Sequence, residues 1–201
     1  MKIVIVGAAG KIGREIDKAV SASHEVVRVG ATSGDVQCDF TDSNSVAGMY
    51  DAIGLFDALI AVAGRDSVFK SFSELDDDDY RYGFERKYLG QVRLLRFGES
   101  STRDNGSYTF TSGFLSHYPN PASIATGPLN AAVDTFVKNT AKLMPRGIRI
   151  NVVSPAPIVD PGREGLGLVT AEQCAAFYVQ AIEGSMSGQV LRAWGGLPVP
   201  A

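Results

Sequence analysis

The chain of 201 residues is long enough for one domain with a sizeable core and too short for two ordinary enzyme domains. Apolar residues make up 45% and charged residues 20%, which excludes an intrinsically disordered chain. The net charge of −3 argues against a nucleic-acid binder, and the longest apolar run, Ala58 to Ala63, is far too short to span a bilayer. We therefore expect a single domain over residues 1–201 with neither a nucleic-acid partner nor a membrane partner.

Metal sites and export signals are equally unexpected. Cys38 and Cys174 form neither a disulfide framework nor a metal-binding spacing. The run Asp76–Asp79 is typical of the acidic first turn of a helix, and four consecutive helical side chains cannot converge on one ion. The first residues lack the apolar stretch and the small-residue cleavage site of a signal peptide. We expect a cytoplasmic protein without a metal.

Hydrophobic patterning predicts strands and helices that alternate along the chain. The predicted strands are Lys2–Val6, Glu25–Val29, Val36–Phe40, Phe56–Ala63, Ser107–Thr111, Ile148–Ser154 and Gln189–Trp194. The predicted helices are Lys11–Ala22, Ser43–Ile53, Glu74–Gly98, Ala125–Leu143 and Ala171–Ile182. This alternation predicts an α/β fold, a Rossmann-type doubly wound parallel sheet, whose ligands bind outside the carboxyl ends of the strands. The second and third strands are too close in sequence for a helix between them, so we expect a turn there.

Three glycines follow the first strand in the spacing Gly-x-x-Gly-x-x-Gly. They are Gly7, Gly10 and Gly13, with Lys11 and Ile12 between the last two. Glycine permits a tight turn and a close approach of the backbone to a pyrophosphate, which then lies on the N-terminus of the following helix. Because the motif stands after the first strand of an alternating chain, these five residues predict a dinucleotide site.

The end of the second predicted strand bears on the choice of dinucleotide. An NAD site usually has an acidic residue there that binds the ribose 2′-hydroxyl, and the segment from Val29 to Ser33 has none. The hydroxyls of Thr32 and Ser33, with Lys11 or Arg28 nearby, are suited to a 2′-phosphate. The sequence therefore favours NADP(H) over NAD(H), although Thr32 and Ser33 are also ordinary turn residues.

At this point the chain resembles the short-chain dehydrogenase/reductase family. Besides the glycine loop, the resemblance rests on five stretches: Cys38–Asp42, Ala61–Gly64, Leu75–Tyr80, Met144–Pro155 and Gly188–Leu191. It implies an oxidoreductase with a nicotinamide cofactor. It also implies further cofactor-binding residues at the adenine, after the fourth strand and beside the nicotinamide, namely Asp39, Phe40, Ala63, Gly64, Pro155 and Ile158.

The catalytic positions depart from the family pattern, which is a serine, a Tyr-x-x-x-Lys pair and an asparagine. Ser112 falls at the serine position, whereas Thr126 and Asn130 stand at the tyrosine and lysine positions, and Lys87 aligns with the asparagine. A threonine hydroxyl is far too weak an acid to replace a lysine-assisted phenol near neutral pH. Lys87, Tyr118 and His117 are the candidate substitutes, and the plainer interpretations are a surface lysine, a loop tyrosine and an exposed loop histidine. We predict Ser112, Lys87 and Tyr118 as the catalytic residues.

Three functions are compatible with this pattern. The first is an NADP(H)-dependent oxidoreductase that acts on a small carbonyl- or imine-type substrate. The second is a non-redox nucleotide-binding sensor or regulatory protein, and the third is a lyase or isomerase. Family members generally associate through their two long helices, so we expect a homodimer or homotetramer. The glycine-rich segment Val159–Val169 stands where the family carries its substrate lid, and we expect a mobile strip with few anchors.

Overall fold

The computed structural model describes residues 1–63 and 68–200. Within this part of the chain, seven strands form one parallel sheet in the order β3-β2-β1-β4-β5-β6-β9. These strands are β1 (Lys2–Val6), β2 (Glu25–Gly30), β3 (Val36–Gln37), β4 (Phe56–Ala61), β5 (Thr102–Thr111), β6 (Arg149–Pro155) and β9 (Val190–Ala193). A separate parallel pair consists of β7 (Ile158–Val159) and β8 (Val169–Thr170). The parallel Rossmann-type sheet predicted from the alternation is confirmed.

Helices cover both faces of this sheet. They are α1 (Lys11–Val20), α2 (Ser43–Ile53), α3 (Asp77–Gly83), α4 (Gly90–Gly98), α5 (Gly127–Thr140) and α6 (Ala171–Glu183). One core packs α2, α4 and α5 against the sheet, and the other packs α1 and α6 against the opposite face. In β1, Val4 and Val6 enter the first core, whereas Ile3 and Ile5 enter the second. Apolar residues on both faces are what a parallel sheet covered by helices requires. None of the described helices is long and apolar enough to cross a membrane.

The predicted long helix Glu74–Gly98 differs from the structure, which has three consecutive helical segments. The first segment, α3, begins at Asp77 because Asp76 and Asp79 form a reciprocal cap, in which each side chain accepts the backbone N–H of the other. Between α3 and α4 lies a π-helical segment, Phe84–Leu89. A π-helical turn shifts the angular positions of the side chains around a helix, and such turns are frequent at functional sites.

The connection between β2 and β3 is a five-residue loop, as predicted. The Asp35 N–H donates to the Arg28 carbonyl, and the Asp35 carboxylate accepts the Arg28 N–H at 2.8 Å. Gly34 adopts a φ of +112°, a conformation that favours glycine. Strand β3 is shorter than predicted and ends at Gln37, so Asp39 and Phe40 lie beyond the sheet.

Candidate functional site

The loop between β1 and α1 is packed so closely that only glycine fits at two of its positions. A Cβ on Gly7, whose φ is +95°, would lie 2.8 Å from the backbone nitrogen of Ala63. A Cβ on Gly13 would lie 2.2 Å from the Gly7 carbonyl oxygen. Helix α1 starts at this loop with Gly10 as its N-cap, without a side-chain cap and without an acidic residue in its first turn. The N–H groups at the start of α1 therefore have no side-chain cap and can donate hydrogen bonds to an anionic ligand.

A cavity of about 430 Å³, which we call the cofactor cavity, opens at this loop. It is lined by Gly7, Gly10, Lys11, Ile12, Gly13, Val62, Ala63, Lys87, Thr111, Ser112, Pro155 and Ile158. Eight residues that the sequence predicts as cofactor-binding are therefore brought together, along with two predicted catalytic residues. The glycine cradle and the uncapped helix N-terminus fit the pyrophosphate of a dinucleotide.

The residues predicted at the adenosine end of the cofactor lie outside this cavity. Thr32 and Ser33 are exposed on the loop after β2. The Asp39 carboxylate accepts the Thr41 hydroxyl at 2.7 Å and the Thr41 N–H at 2.9 Å, and these hydrogen bonds hold the pKa of Asp39 below its usual value. The ring of Phe40 packs against α4.

Two further predictions concern the same end of the site. Arg28 is engaged in a bidentate ion pair with Asp17, with both N–O distances at 2.8 Å, so its guanidinium already has a carboxylate partner. Lys11 lies 4.0 Å from Asp160, and both side chains are exposed. Gly64, predicted to bind the cofactor, lies outside the described residues.

A second cavity, of about 260 Å³, adjoins the cofactor cavity. It is lined by Phe69, Lys87, Ser112, Gly113, Phe114, Leu115, Thr126, Asn130, Pro155, Ala156 and Pro157. Three of these residues, Lys87, Ser112 and Pro155, also line the cofactor cavity. They mark the place where a bound dinucleotide and a second small molecule would meet.

Lys87 reaches this junction from the π-helical segment. Its Nζ donates a hydrogen bond to the carbonyl oxygen of Ser112 at 2.8 Å. Burial lowers the pKa of Lys87 to about 8, and the opposing influence is the carboxylate of Asp134, which raises it. An amine with this pKa exchanges a proton near neutral pH far more readily than an ordinary lysine.

The end of β5 is fixed in place by a buried glutamine that the sequence analysis missed. Gln91 accepts the Thr111 N–H at 2.8 Å and donates to the Lys87 carbonyl at 2.7 Å. The Ser112 N–H donates to Val153 in β6, while the Ser112 hydroxyl is buried without a partner among the described residues. Gln91 therefore ties the backbone of the π-helical segment to the strand end that carries Ser112.

Comparison with known proteins agrees with this geometry. A family model described as enoyl-(acyl carrier protein) reductase matches residues 5–183. The chain belongs to the short-chain dehydrogenase/reductase family. The protein lin1944 from Listeria innocua is 32% identical and superposes with a TM-score of 0.91, covering 96% of this chain and 100% of that one.

Two more members of this family are informative. A small-chain dehydrogenase in complex with NADPH is 27% identical, with a TM-score of 0.88 and coverage of 98% and 97% of the two chains. An uncharacterized oxidoreductase of Methylorubrum extorquens is 26% identical over 92% of this chain and 84% of its own length. The chain is thus an oxidoreductase of the short-chain dehydrogenase/reductase family, and this family binds nicotinamide cofactors.

In this member of the family, Thr126 and Asn130 stand where the family pattern has a tyrosine and a lysine, at the start of helix α5. Thr126 is the N-cap of α5, and its hydroxyl donates to the Val68 carbonyl at 3.2 Å. Asn130 follows one turn later and lines the second cavity. Asp134 follows after another turn and is also buried, and the sequence analysis missed it. Its spacing of four residues from Asn130 is the signal that places it on the same helix face.

The structure does not bring Tyr118 to the junction of the cavities. Its hydroxyl donates to the Pro198 carbonyl at 2.5 Å, and its ring packs edge-on against Trp194, with ring centres 5.9 Å apart. The predicted lid strip runs beside Trp194 as well. It has more anchors than expected, because β7 pairs with β8 and the Gly167 N–H donates to the Trp194 carbonyl at 3.1 Å.

Proposed function

We propose that this chain is an NADP(H)-dependent oxidoreductase that reduces a small carbonyl- or imine-type substrate. Lys87 is the proton donor, and the Ser112 hydroxyl orients the substrate. The observation that carries this proposal is that Lys87 lines both the cofactor cavity and the second cavity, with its Nζ 2.8 Å from the Ser112 carbonyl oxygen.

The cofactor cavity supports the nicotinamide dinucleotide. Bound NADPH supplies a hydride to the substrate. Gly7, Gly10 and Gly13 would hold its pyrophosphate at the start of α1, and Pro155 and Ile158 also line the cavity. The NADPH complex of the 27% identical small-chain dehydrogenase and the lack of an acidic residue from Val29 to Ser33 favour NADP(H) over NAD(H).

Lys87 has the protonation behaviour that a general acid needs. With a pKa of about 8, it is mostly an ammonium at neutral pH, and it releases a proton more readily than an ordinary lysine with a pKa of 10.5. Its Nζ proton passes to the substrate oxygen or nitrogen as the substrate becomes an alcohol or an amine. The neutral amine of Lys87 then takes a proton from solvent. The Ser112 hydroxyl, buried and unpartnered among the described residues, is available to hold the same substrate atom.

The walls of the second cavity indicate the kind of substrate. Phe69, Phe114, Leu115 and Pro157 supply apolar surface. The polar lining residues are Lys87 on the π-helical segment, Ser112 after β5, Thr126 at the N-cap of α5 and Asn130 on α5. A cavity of about 260 Å³ admits only a compact molecule. We therefore propose a small, largely apolar compound with one carbonyl or imine group.

The test is NADPH oxidation with a panel of small aldehydes, ketones and cyclic imines. We expect turnover by the wild type and its loss in Lys87→Met, while NADPH still raises the melting temperature of both. Lys18→Met is the matched control, because Lys18 is an exposed lysine on α1 that pairs only loosely with Glu15, at 3.5 Å. Turnover by Lys87→Met equal to that of the wild type would overturn the assignment of the proton donor.

A non-redox nucleotide sensor is the second candidate, and the side chains of α5 favour it. The Thr126 hydroxyl is too weak an acid for the reaction, and Asn130 carries no charge that would lower the pKa of a neighbouring hydroxyl. In that case NADPH raises the melting temperature while no member of the panel consumes NADPH. The two candidates thus predict opposite results in one assay.

We also propose that the chain forms a homodimer or homotetramer. A shallow groove of about 490 Å³ runs along α5 and the π-helical segment and exposes small and apolar side chains, among them Ala131, Ala132, Phe136 and Tyr88. Burial of such a surface against a second copy would release water from apolar area. Light scattering at micromolar concentration tests this proposal, and a monomer would contradict it.

A further inference from the structure

The side chain of Gln91 in α4 is enclosed by the protein, and its amide makes hydrogen bonds only to backbone atoms. Gln91 is 2% exposed. Its Oε1 accepts the Thr111 N–H at 2.8 Å, and its Nε2 donates to the Lys87 carbonyl at 2.7 Å and to the Thr111 carbonyl at 3.1 Å. A glutamine amide has two N–H donors, and both are used here. A buried amide that is engaged in this way on two separate elements links them rigidly.

One end of this link is Thr111, the last residue of β5. The pairing of β4 with β5 reaches Thr109, two residues before Thr111. On the opposite side of β5, the Ser112 N–H donates to the Val153 carbonyl in β6 at 2.9 Å. Because the backbone groups of successive strand residues point to alternate sides, the N–H and the carbonyl of Thr111 point to the side of β4. The Gln91 amide therefore takes the place of a neighbouring strand there and satisfies both backbone groups of Thr111.

The other end of the link is the π-helical segment that carries Lys87. The Lys87 carbonyl accepts the Gln91 side chain, and the Lys87 amine donates in turn to the Ser112 carbonyl at 2.8 Å. Thr111 and Ser112 are adjacent, so two side chains from one helical stretch hold two consecutive residues at the end of β5. These contacts close a ring that runs from Gln91 to Lys87, on to Ser112, and back through Thr111. Within the ring, the amide fixes the backbone from which the lysine side chain extends.

We propose that Gln91 is a positioning residue, whose amide holds the backbone of Lys87 beside the end of β5 so that the lysine amine stays on the Ser112 carbonyl. This inference rests on the proposed function of Lys87 as proton donor. A lysine has a flexible four-carbon stem, and its amine reaches a fixed point only if the backbone below it is also fixed. A proton donor has to lie within hydrogen-bond reach of the substrate atom, so a shift of the segment by about 1 Å would slow the reaction.

A purely structural role for Gln91 predicts a different outcome from a positioning role. Removal of the amide leaves the Thr111 N–H and two carbonyls without this partner, which lowers the free energy of unfolding in either case. Only the positioning role predicts that Lys87 changes in the folded protein. Without the amide, the π-helical segment moves away from β5 and water reaches the amine. The pKa of Lys87 then rises, because burial is what lowers it to about 8.

The test measures the titration of Lys87 directly, without turnover, in the wild type and in Gln91→Met. Methionine has the unbranched shape of glutamine but neither its N–H donors nor its carbonyl oxygen. The rate at which acetic anhydride acetylates Lys87 is followed by peptide mass spectrometry from pH 6 to pH 11. We expect the midpoint of this titration to rise in the variant, from about 8 toward 10.5. A rise of about one unit lowers the neutral fraction of the amine at pH 8 from about one half to about one tenth.

Two further variants keep the test decisive. Gln180→Met is the control, because Gln180 is an exposed glutamine on α6, and it should leave the midpoint unchanged. Gln91→Asn keeps the amide but is one methylene shorter, so it cannot reach the end of β5 and the Lys87 carbonyl together. It should raise the midpoint by less, and it serves if Gln91→Met does not fold. The charge of Asp134 raises the pKa of Lys87 and is present in all these proteins, so a difference between them reports the burial of the amine.

An unchanged Lys87 midpoint in folded Gln91→Met, or in Gln91→Asn where that variant has to serve, would overturn the inference. A raised midpoint, while the wild type reduces no substrate, would instead support the positioning of Lys87 by Gln91 and refute the proposed oxidoreductase activity. If the wild type is active, Gln91→Met should have a lower kcat at an unchanged KM for NADPH. The alkaline limb of its pH–rate profile should also move to higher pH, which a merely structural role for Gln91 would not produce.

Discussion

Replacement of Gly13 by alanine tests the glycine loop where the packing is tightest. The new Cβ would lie 2.2 Å from the carbonyl oxygen of Gly7 and 2.9 Å from the Cα of Ala8. Both neighbours are backbone atoms, and the Gly7 N–H is held by the Val29 carbonyl at 2.8 Å, so the loop cannot retreat without losing a hydrogen bond. Overpacking of this kind costs about 1–3 kcal/mol.

Gly48→Ala is the matched control for this variant. Gly48 also lies inside a helix, α2, but a Cβ there would meet no atom within 4 Å. Alanine in an open helical position stabilises by about 0.5–1 kcal/mol relative to glycine. The free energies of unfolding of the two variants, from urea denaturation followed by circular dichroism, should therefore differ by about 1.5–4 kcal/mol.

Gly13→Ala should also weaken NADPH binding, because the loop that faces the pyrophosphate has to move. The measurement is the NADPH-dependent shift in melting temperature, which should be reduced in Gly13→Ala and retained in Gly48→Ala. The reasoning would be refuted if Gly13→Ala were as stable as Gly48→Ala and bound NADPH like the wild type.

Three more predictions concern the core and the titrating groups. Tyr178→Phe should lower the free energy of unfolding by about 1 kcal/mol in urea denaturation, because it removes a buried 2.7 Å hydrogen bond to the Thr111 hydroxyl. Burial raises the pKa of Asp57, but hydrogen bonds such as that from the Lys2 N–H at 2.6 Å outweigh it and leave the pKa below its usual value. Asp57 thus adds stability above its unfolded pKa of about 3.9, and the loss in Asp57→Asn should shrink as pH falls through the lower folded pKa. The pKa of Lys87 falls from 10.5 to about 8 on folding, so the unfolded chain binds more protons between these pH values. The free energy of unfolding of the wild type should therefore increase as pH rises from about 8 to 10.5, and that of Lys87→Met should not.

The sequence predicted the tight glycine loop between β1 and α1 because the cause of that loop is local. Three glycines between a buried strand and a helix leave little freedom in how the loop folds, and the cavity is lined by Gly7, Gly10 and Gly13 as expected. The parallel sheet was predictable from the alternation of strands and helices, since right-handed crossovers between parallel strands permit few arrangements. The loop between β2 and β3 was predictable from its length alone.

The second cavity, with its proposed catalytic residues, was harder to predict because it depends on helix geometry that composition does not encode. The π-helical segment sets the direction in which Lys87 projects, and no spacing rule for an ordinary helix contains it. Gln91 and Asp134 are polar residues on helices, where exposure is the usual outcome, and both are buried. Gln91 is buried because its side chain binds the end of β5. Tyr118 instead packs against Trp194, a residue distant in sequence, and the sequence around Tyr118 does not reveal this contact.

The pH dependence of NADPH oxidation by the wild type, Lys87→Arg and Lys87→Met tests the central claim most directly. If the Lys87 ammonium donates the proton, the wild-type rate should be constant at neutral pH and fall tenfold per pH unit above about 8. Lys87→Arg keeps the positive charge but cannot release a proton at these pH values, so it should bind NADPH and turn over as poorly as Lys87→Met. A wild-type rate without an alkaline limb near pH 8, or an active Lys87→Met, would contradict the account.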